Sequence, residues 1–391
     1  MIAFTYPGQG SQKPGMGDTW RNHPSWELVD EASEVAERDI SGLLLEADAE
    51  ELKQTRNAQL ATYITSMVVL DAVERLGVEP AMHAGHSLGE YSALTAAGTL
   101  SFADGVRLVT ERGEAMQVAA EEREGTMAAI LGLDDDLVEV ACSRVDGDVW
   151  VANYNAPGQV VIAGSPNALV EAGDAAKELG AKRVLAVAVS GAFHTPFMSP
   201  ARDRLRKAIA EADIRDPQTP VYANVDGIGH TEGGEWGGLL GAQLCSPVRW
   251  RHTLHNMFDA GSTTFLELGP GTVLTGMAKR TVKGSRTISV STPADLDNLL
   301  EAVSGTDHGG ELSNDGEHLF ATERLVVSPG AGVYEPDPEI AVGTAISIGA
   351  RLGSVGDAEV RSPFNGEIMG LLAVAGERVM SSQPIAWLRT N

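Results

Sequence analysis

The chain has 391 residues, enough for two or three domains, and its 43% hydrophobic and 5% aromatic content is an ordinary globular mixture. Its 29 Lys and Arg against 54 Asp and Glu leave a net charge of −25. That argues against a nucleic-acid binder and against docking on an anionic membrane, because both need clustered basic side chains, and any acidic ligand must be met by a local basic spot.

Residues 1–10 have neither the basic flank nor the long apolar core of a signal peptide. Residues 2–6 read as a short buried strand, broken by Pro7-Gly8-Gln9-Gly10. Helices are expected over 25–38 and 57–76, the second with Leu60, Ile64, Met67 and Val68 at helical spacing. A strand near 80–85 meets a glycine-flanked turn, and 88–97 resumes as helix. Ser101-Phe102-Ala103-Asp104 reads as a capping box opening a helix to about Glu122.

From 126 the texture changes. Strands at 126–133, 150–154, 159–164 and 183–189, with helices at 135–145 and 167–179, give the order β-α-β-β-α-β. This is the split-βαβ pattern of a ferredoxin-like module, inserted at about 126–190 into a larger α/β domain. Alternation resumes at 221–224, 250–258 and 264–268, and the domain is expected to span 1–303. Residues 304–322 are acidic and glycine-rich, the composition of a linker. Residues 323–391 read as short strands that repeat weakly: Ser328-Pro329-Gly330-Ala331-Gly332 recurs 34 positions on as Ser362-Pro363-Phe364-Asn365-Gly366. Two similar halves imply a small pseudo-symmetric β-barrel or sandwich. No apolar run approaches a membrane span. The only cysteines, Cys142 and Cys245, lack metal-ligand spacing and suit a reducing, cytoplasmic compartment, so neither metal nor cofactor is expected.

The strongest chemical signal is Gly85-His86-Ser87-Leu88-Gly89-Glu90-Tyr91. G-x-S-x-G between a strand and a helix is a nucleophile elbow: the glycines permit a strained turn that exposes the serine hydroxyl. The following helix aims its N-terminal amides at developing negative charge. A serine hydroxyl needs a base, and the best of nine histidines is His194, closing the strand at 183–189. His86 adjoins the serine in sequence and points elsewhere. Arg112 sits mid-helix with Leu108 and Met116 one turn away on the same face. It reads either as a clamp for a carboxylate or as a surface arginine paired with Glu111 or Glu114.

Further segments complete a pattern: Pro7-Gly8-Gln9-Gly10-Ser11-Gln12, Glu111-Arg112-Gly113, Ala192-Phe193-His194-Thr195, Gln243-Leu244-Cys245-Ser246-Pro247-Val248 and Glu267-Leu268-Gly269-Pro270-Gly271. In this order, and over about residues 1–300, they resemble the malonyl-CoA:acyl carrier protein transacylases of bacterial fatty-acid synthesis. The resemblance implies an α/β-hydrolase-like core with a parallel sheet. It implies transfer of malonyl from malonyl-CoA to the phosphopantetheine thiol of acyl carrier protein through a malonyl-serine intermediate. Ser87 would be the nucleophile and His194 the general base, held by a backbone carbonyl near Gln243 rather than by a third carboxylate. No Asp or Glu near these motifs stands out for that part. The backbone N–H groups of Gln9 and Leu88 would form the oxyanion hole. Arg112 would bind the malonyl carboxylate, with Met116 and Phe193 beside the substrate. The bulky Phe193 matches the family's malonyl-selective version, which crowds an α-methyl group.

The C-terminal part departs from that family. Its halves resemble the biotinyl/lipoyl attachment domain, a flattened β-barrel of two quasi-symmetric halves. Where the modified lysine belongs the chain has Leu352-Gly353-Ser354-Val355-Gly356-Asp357, and no lysine follows Lys283. Biotinylation and lipoylation are thereby excluded. The alternatives are a malonyl loader for a polyketide synthase, a serine esterase and a non-catalytic scaffold. The esterase would need the order Ser…Asp…His and no arginine clamp.

Overall fold

The structure is a computed structural model that describes residues 1–189, 191–304, 323–338, 340–356, 358–379 and 383–389. The expected linker at 304–322 lies almost wholly outside the described residues. The chain divides into two compact units, Met1–Leu299 and Leu300–Asn391.

In the first unit, five short strands pair in parallel in the order Arg286–Val290, Thr264–Leu268, Ile2–Tyr6, Met82–Gly85 and Val221–Tyr222, with Gly229–His230 antiparallel at the edge. Parallel strands need both faces covered. One face packs Ala3, Met82, Ala84 and Phe265 against Trp250, Leu254, Met257 and Leu274. Thr55–Glu74, buried almost all round, is a core helix rather than a surface one. The register sets Tyr6 opposite Gly85, so the chain leaves both strands at the same edge of the sheet. In open α/β sheets that carboxyl-end edge is where sites form.

Residues 126–187 form a separate antiparallel sheet in the order Val149–Ala156, Gln159–Gly164, Thr126–Leu131 and Arg183–Val187. Helices Asp135–Ser143 and Pro166–Glu178 cover it, and Val138, Ile130, Val160, Ile162 and Ala172 fill the layer between. Asn153 bridges to Val248, tying this sheet to the segment before helix Trp250–Asp259.

Several boundaries differ from the sequence pattern. Residues 24–36 split into a 3₁₀ turn, Pro24–Trp26, and a helix, Glu27–Ala36, that stops where Glu37 turns left-handed at φ 51°. Ser101 does cap Phe102–Glu122, accepting from Asp104 N at 3.0 Å. Helices Ile40–Leu45, Ala49–Lys53, Ser199–Glu211, Gly233–Gln243 and Val273–Thr281 lie where the pattern predicts none. Gly233–Gln243 carries five glycines and has poor intrinsic helicity. Trp236, Leu240 and Gln243 are buried along it, so packing overrides propensity.

The second unit is all-β. One sheet orders Glu323–Val327, Pro384–Arg389, Gly366–Leu371 and Ala345–Ile346; the other orders Ala358–Arg361, Arg351–Val355, Gly332–Pro336 and Arg378–Val379. Adding 34 to each position carries the first half of the unit onto the second and exchanges the two sheets. The pairs Val326/Val360, Tyr334/Ile368 and Leu352/Ala386 are all buried. Ser328 and Ser362 are buried too, and make the same turn. Ser328 Oγ donates to Gly330 O and accepts from its N–H, as Ser362 Oγ does with Phe364. No helix among the described residues is long and apolar enough to cross a membrane. We predict that Ser328→Ala and Ser362→Ala each destabilise this unit by about 1 kcal/mol, the worth of one such contact. Urea midpoints read the two costs, and a cost confined to one serine would break the equivalence.

Candidate active site

The site forms where strand Met82–Gly85 turns into helix Gly89–Ala96. Glycine is required on both sides for steric reasons. A Cβ at Gly85 would overlap the Gly89 backbone, and one at Gly89 would overlap the Tyr6 carbonyl. Ser87, between them, is held at φ 53°. His194 sits at φ 60°, so two of the three left-handed non-glycine residues among the described ones face each other here. Such backbone costs of order 1–3 kcal/mol per residue and persists only where the surroundings impose it.

The imposing contacts are visible. Ser87 N donates to Asn224 Oδ1 at 2.7 Å, and Asn224 Nδ2 donates to Gly85 O at 2.7 Å. Ser87 Oγ lies 2.7 Å from His194 Nε2. His194 Nδ1 lies 2.9 Å from the Gln243 carbonyl, which can only accept, so Nδ1 carries the proton and Nε2 faces the hydroxyl as an acceptor. Burial, with the Arg112 charge adding to it, lowers the His194 pKa to about 3. The imidazole is therefore a neutral base across the physiological range.

Arg112 is 1% exposed, which rules out the surface reading. Glu111 pairs with Arg204 and Glu114 with Arg56 instead. The guanidinium donates to Gln59 Oε1 at 2.6 Å, Gln243 Oε1 at 3.0 Å and Ser87 Oγ at 3.1 Å. All three acceptors are neutral. Burial works against the charge and lowers the Arg112 pKa. A buried cation beside a nucleophile is a ready seat for an anionic group.

Met116 meets this cluster through Gln59, whose Nε2 lies 3.2 Å from its sulfur. Phe193 is buried next to His194, with its ring near Gly191. Leu88 N lies at the start of the elbow helix, where amides have no partner inside the helix. The loop bearing Gln9 packs on the elbow: a Cβ at Gly8 would run into the His86 carbonyl. His86 itself turns away, its Nε2 lying 2.8 Å from Asn155 Oδ1.

Three polar residues of the site escaped the sequence reading: Gln59, Asn224 and Glu90. Glu90 is fully buried, with Oε1 accepting from Asn224 N and Oε2 from Gln243 Nε2, both at 2.6 Å. Burial pushes its pKa up to about 8, while those two hydrogen bonds and the Arg112 charge pull it down. The available signal was the one used for Arg112, a charge on an otherwise apolar helix.

The acyl transferase domain family matches residues 3–298. The chain is 43% identical over 307 residues to the malonyl CoA-acyl carrier protein transacylase of Bacillus subtilis, covering 77% of this chain and 97% of that protein. The crystal structure of an acyl carrier protein S-malonyltransferase from Vibrio cholerae superposes with a TM-score of 0.74 at 41% identity, over 76% of this chain and 99% of that one. A malonyl-transacylase in complex with its type II polyketide synthase acyl-carrier protein is similar at TM-score 0.74 and 39% identity, over 77% and 99% of the chains.

We predict that fluorophosphonate labelling of Ser87 stays level from about pH 7 to about pH 5, a window below the Glu90 value of about 8, because His194 gains a proton only far below the usual 6.5. A rate that halves near the usual value would show a solvated imidazole.

Proposed function

The chain belongs to the acyl transferase domain family, with malonyl CoA-acyl carrier protein transacylases as its relatives, and from that premise we propose that Ser87 carries the malonyl group. The enzyme is an acyl carrier protein S-malonyltransferase, moving malonyl from malonyl-CoA to acyl carrier protein for fatty-acid synthesis. The observation that carries our reading of the site is the 2.7 Å contact between Ser87 Oγ and a neutral His194.

In that reading His194 Nε2 takes the hydroxyl proton as Oγ attacks the thioester carbonyl. The oxyanion is held by the N–H groups of Gln9 and Leu88. CoA leaves as its thiol with the proton from His194. The phosphopantetheine thiol of acyl carrier protein then gives its proton to His194 and attacks the malonyl ester; as the ester C–O bond breaks, His194 returns that proton to Oγ, restoring Ser87. The Gln243 carbonyl keeps the imidazole in the tautomer these steps need. Arg112, beside Oγ, receives the malonyl carboxylate two bonds beyond the reacting carbonyl. An acetyl group would leave the buried guanidinium without that partner, a loss of about 1–3 kcal/mol. Met116 and Phe193 would line the acyl pocket, with the Phe193 ring crowding an α-methyl group.

We further read residues 1–303 as an α/β-hydrolase-like core interrupted by a ferredoxin-like insertion at 126–190. The strand order of that small sheet supports this, its first strand lying between the third and fourth. The C-terminal unit reads as a biotinyl/lipoyl-like barrel-sandwich, supported by its 34-residue internal repeat. Its hairpin, Arg351–Val355 with Ala358–Arg361, has no lysine to modify. A cytoplasmic location is our inference from two free cysteines.

We expect intact-mass measurement to find a malonyl adduct on the native protein and none on Ser87→Ala. Arg112→Ala should lose malonyl transfer about a hundredfold, near 3 kcal/mol, while acetyl transfer holds or rises. An equal fall for both acyl groups would assign the arginine another task. A chain ended at Ser304 should retain acylation by malonyl-CoA, since every site residue precedes it; a truncated protein that cannot be acylated would make the C-terminal unit part of the enzyme's fold.

A further inference from the structure

Two buried glutamates of the described residues invite comparison. Glu267 is absorbed by the helix it starts, its oxygens accepting from Leu274 N, Thr275 N and Thr275 Oγ1. Glu90 serves no helix end. Its two oxygens face two different chain segments, and each of those segments holds one half of the Ser87–His194 pair.

On one side, Oε1 accepts from the backbone N–H of Asn224, whose side chain grips the elbow at Ser87 N and Gly85 O. On the other, Oε2 accepts from Gln243 Nε2, and the carbonyl of that same residue holds His194 Nδ1. The Gln243 amide is also fixed in direction. Its Nε2 donates to Ser87 O at 2.8 Å as well as to Glu90, and its Oε1 accepts from Arg112. Turned over, the amide would set oxygen against two acceptors and an NH₂ group against a guanidinium.

We propose that Glu90 is a positioning residue for malonyl transfer: it couples the elbow to the histidine support and keeps the Gln243 amide oxygen turned towards Arg112. It occupies, one residue removed, the place that a carboxylate has in a Ser-His-Asp triad. The proposal rests on the reading of Ser87 and His194 given above. A neutral amide at position 90 can serve the Asn224 N–H with its oxygen, but then presents a donor to the Gln243 donor. The Gln243 amide must turn or withdraw, and Arg112 loses an acceptor.

The test is Glu90→Gln in the full-length protein. Single-turnover acylation by malonyl-CoA and by acetyl-CoA is measured per folded molecule, alongside the melting temperature. The expected result is a fold-intact variant whose malonyl acylation rate falls about tenfold or more, with half-saturation changed less than about threefold. The malonyl-to-acetyl ratio should fall too, which a purely structural carboxylate would leave unmoved. In combination with Gln243→Ala the losses should not multiply, since both act through one link. Native rate and selectivity, or a loss that only tracks unfolded protein, would overturn the proposal. If Glu90→Gln does not fold, Glu90→Asp carries the test: its shorter carboxylate cannot reach both partners, the same rate and selectivity losses are expected, and native behaviour overturns the idea. Absence of a malonyl adduct on native Ser87 would instead overturn the reading of the site itself.

Discussion

The parallel register that sets Tyr6 opposite Gly85 brings two chain segments out of the sheet into one small space, and both must turn there. Any side chain at Gly85 or Gly89 would collide with backbone, and one at Gly8 would strike the His86 carbonyl. Ser87 is therefore forced into a left-handed turn and cannot withdraw its hydroxyl. The second left-handed residue, His194, meets it from a different segment. Neither conformation would persist in an isolated peptide; each persists because Asn224 and Gln243 hold the backbone and ring from behind. The chemistry thus depends on a packing constraint between two neighbouring strands.

Around that constraint the protein buries a basic and an acidic side chain without pairing them directly. The Arg112 guanidinium and the Glu90 carboxyl are each 1% exposed, and the amide of Gln243 lies between them, accepting from one and donating to the other. Burying the guanidinium is costly, and a direct ion pair would recover part of that cost, but burial instead pushes the Glu90 pKa up to about 8. Keeping them apart leaves the cation with neutral partners only, and so open to an incoming anion. In the reading proposed above, a chain of net charge −25 gains a site for an acid in this way, by local placement rather than by its overall field.

Much of this was legible in the sequence, for identifiable reasons. The elbow, the capping box at Ser101 and the order of elements at 126–187 rest on local steric rules, which a linear reading captures. Arg112 drew notice because a charge broke an apolar helical face. Glu90 breaks its face in the same way, but it is linked to the histidine only through Gln243, a connection that no spacing in the sequence announces. Asn224 and Gln59 gave less to read, since a neutral polar side chain carries little pattern of its own. The helix Gly233–Gln243 was illegible for a different reason: its five glycines read as loop, and the burial of Trp236, Leu240 and Gln243 makes it helical. Ser199–Glu211, charged and with a proline just before it and another in its first turn, hides in the same way.

The internal repeat of the C-terminal unit has a topological consequence. The 34-residue shift carries strand Glu323–Val327 onto Ala358–Arg361 and Arg351–Val355 onto Pro384–Arg389. The hairpin at Gly356 is thus the counterpart of the place where the first and last strands of the unit pair, with Glu323 opposite Arg389. One half closes with a covalent turn where the other closes with hydrogen bonds alone. Opening the chain after Gly356 and splicing the old ends together would give a circular permutant with every strand pair of both sheets retained. The order of strands along the chain is, in this unit, independent of their order in space.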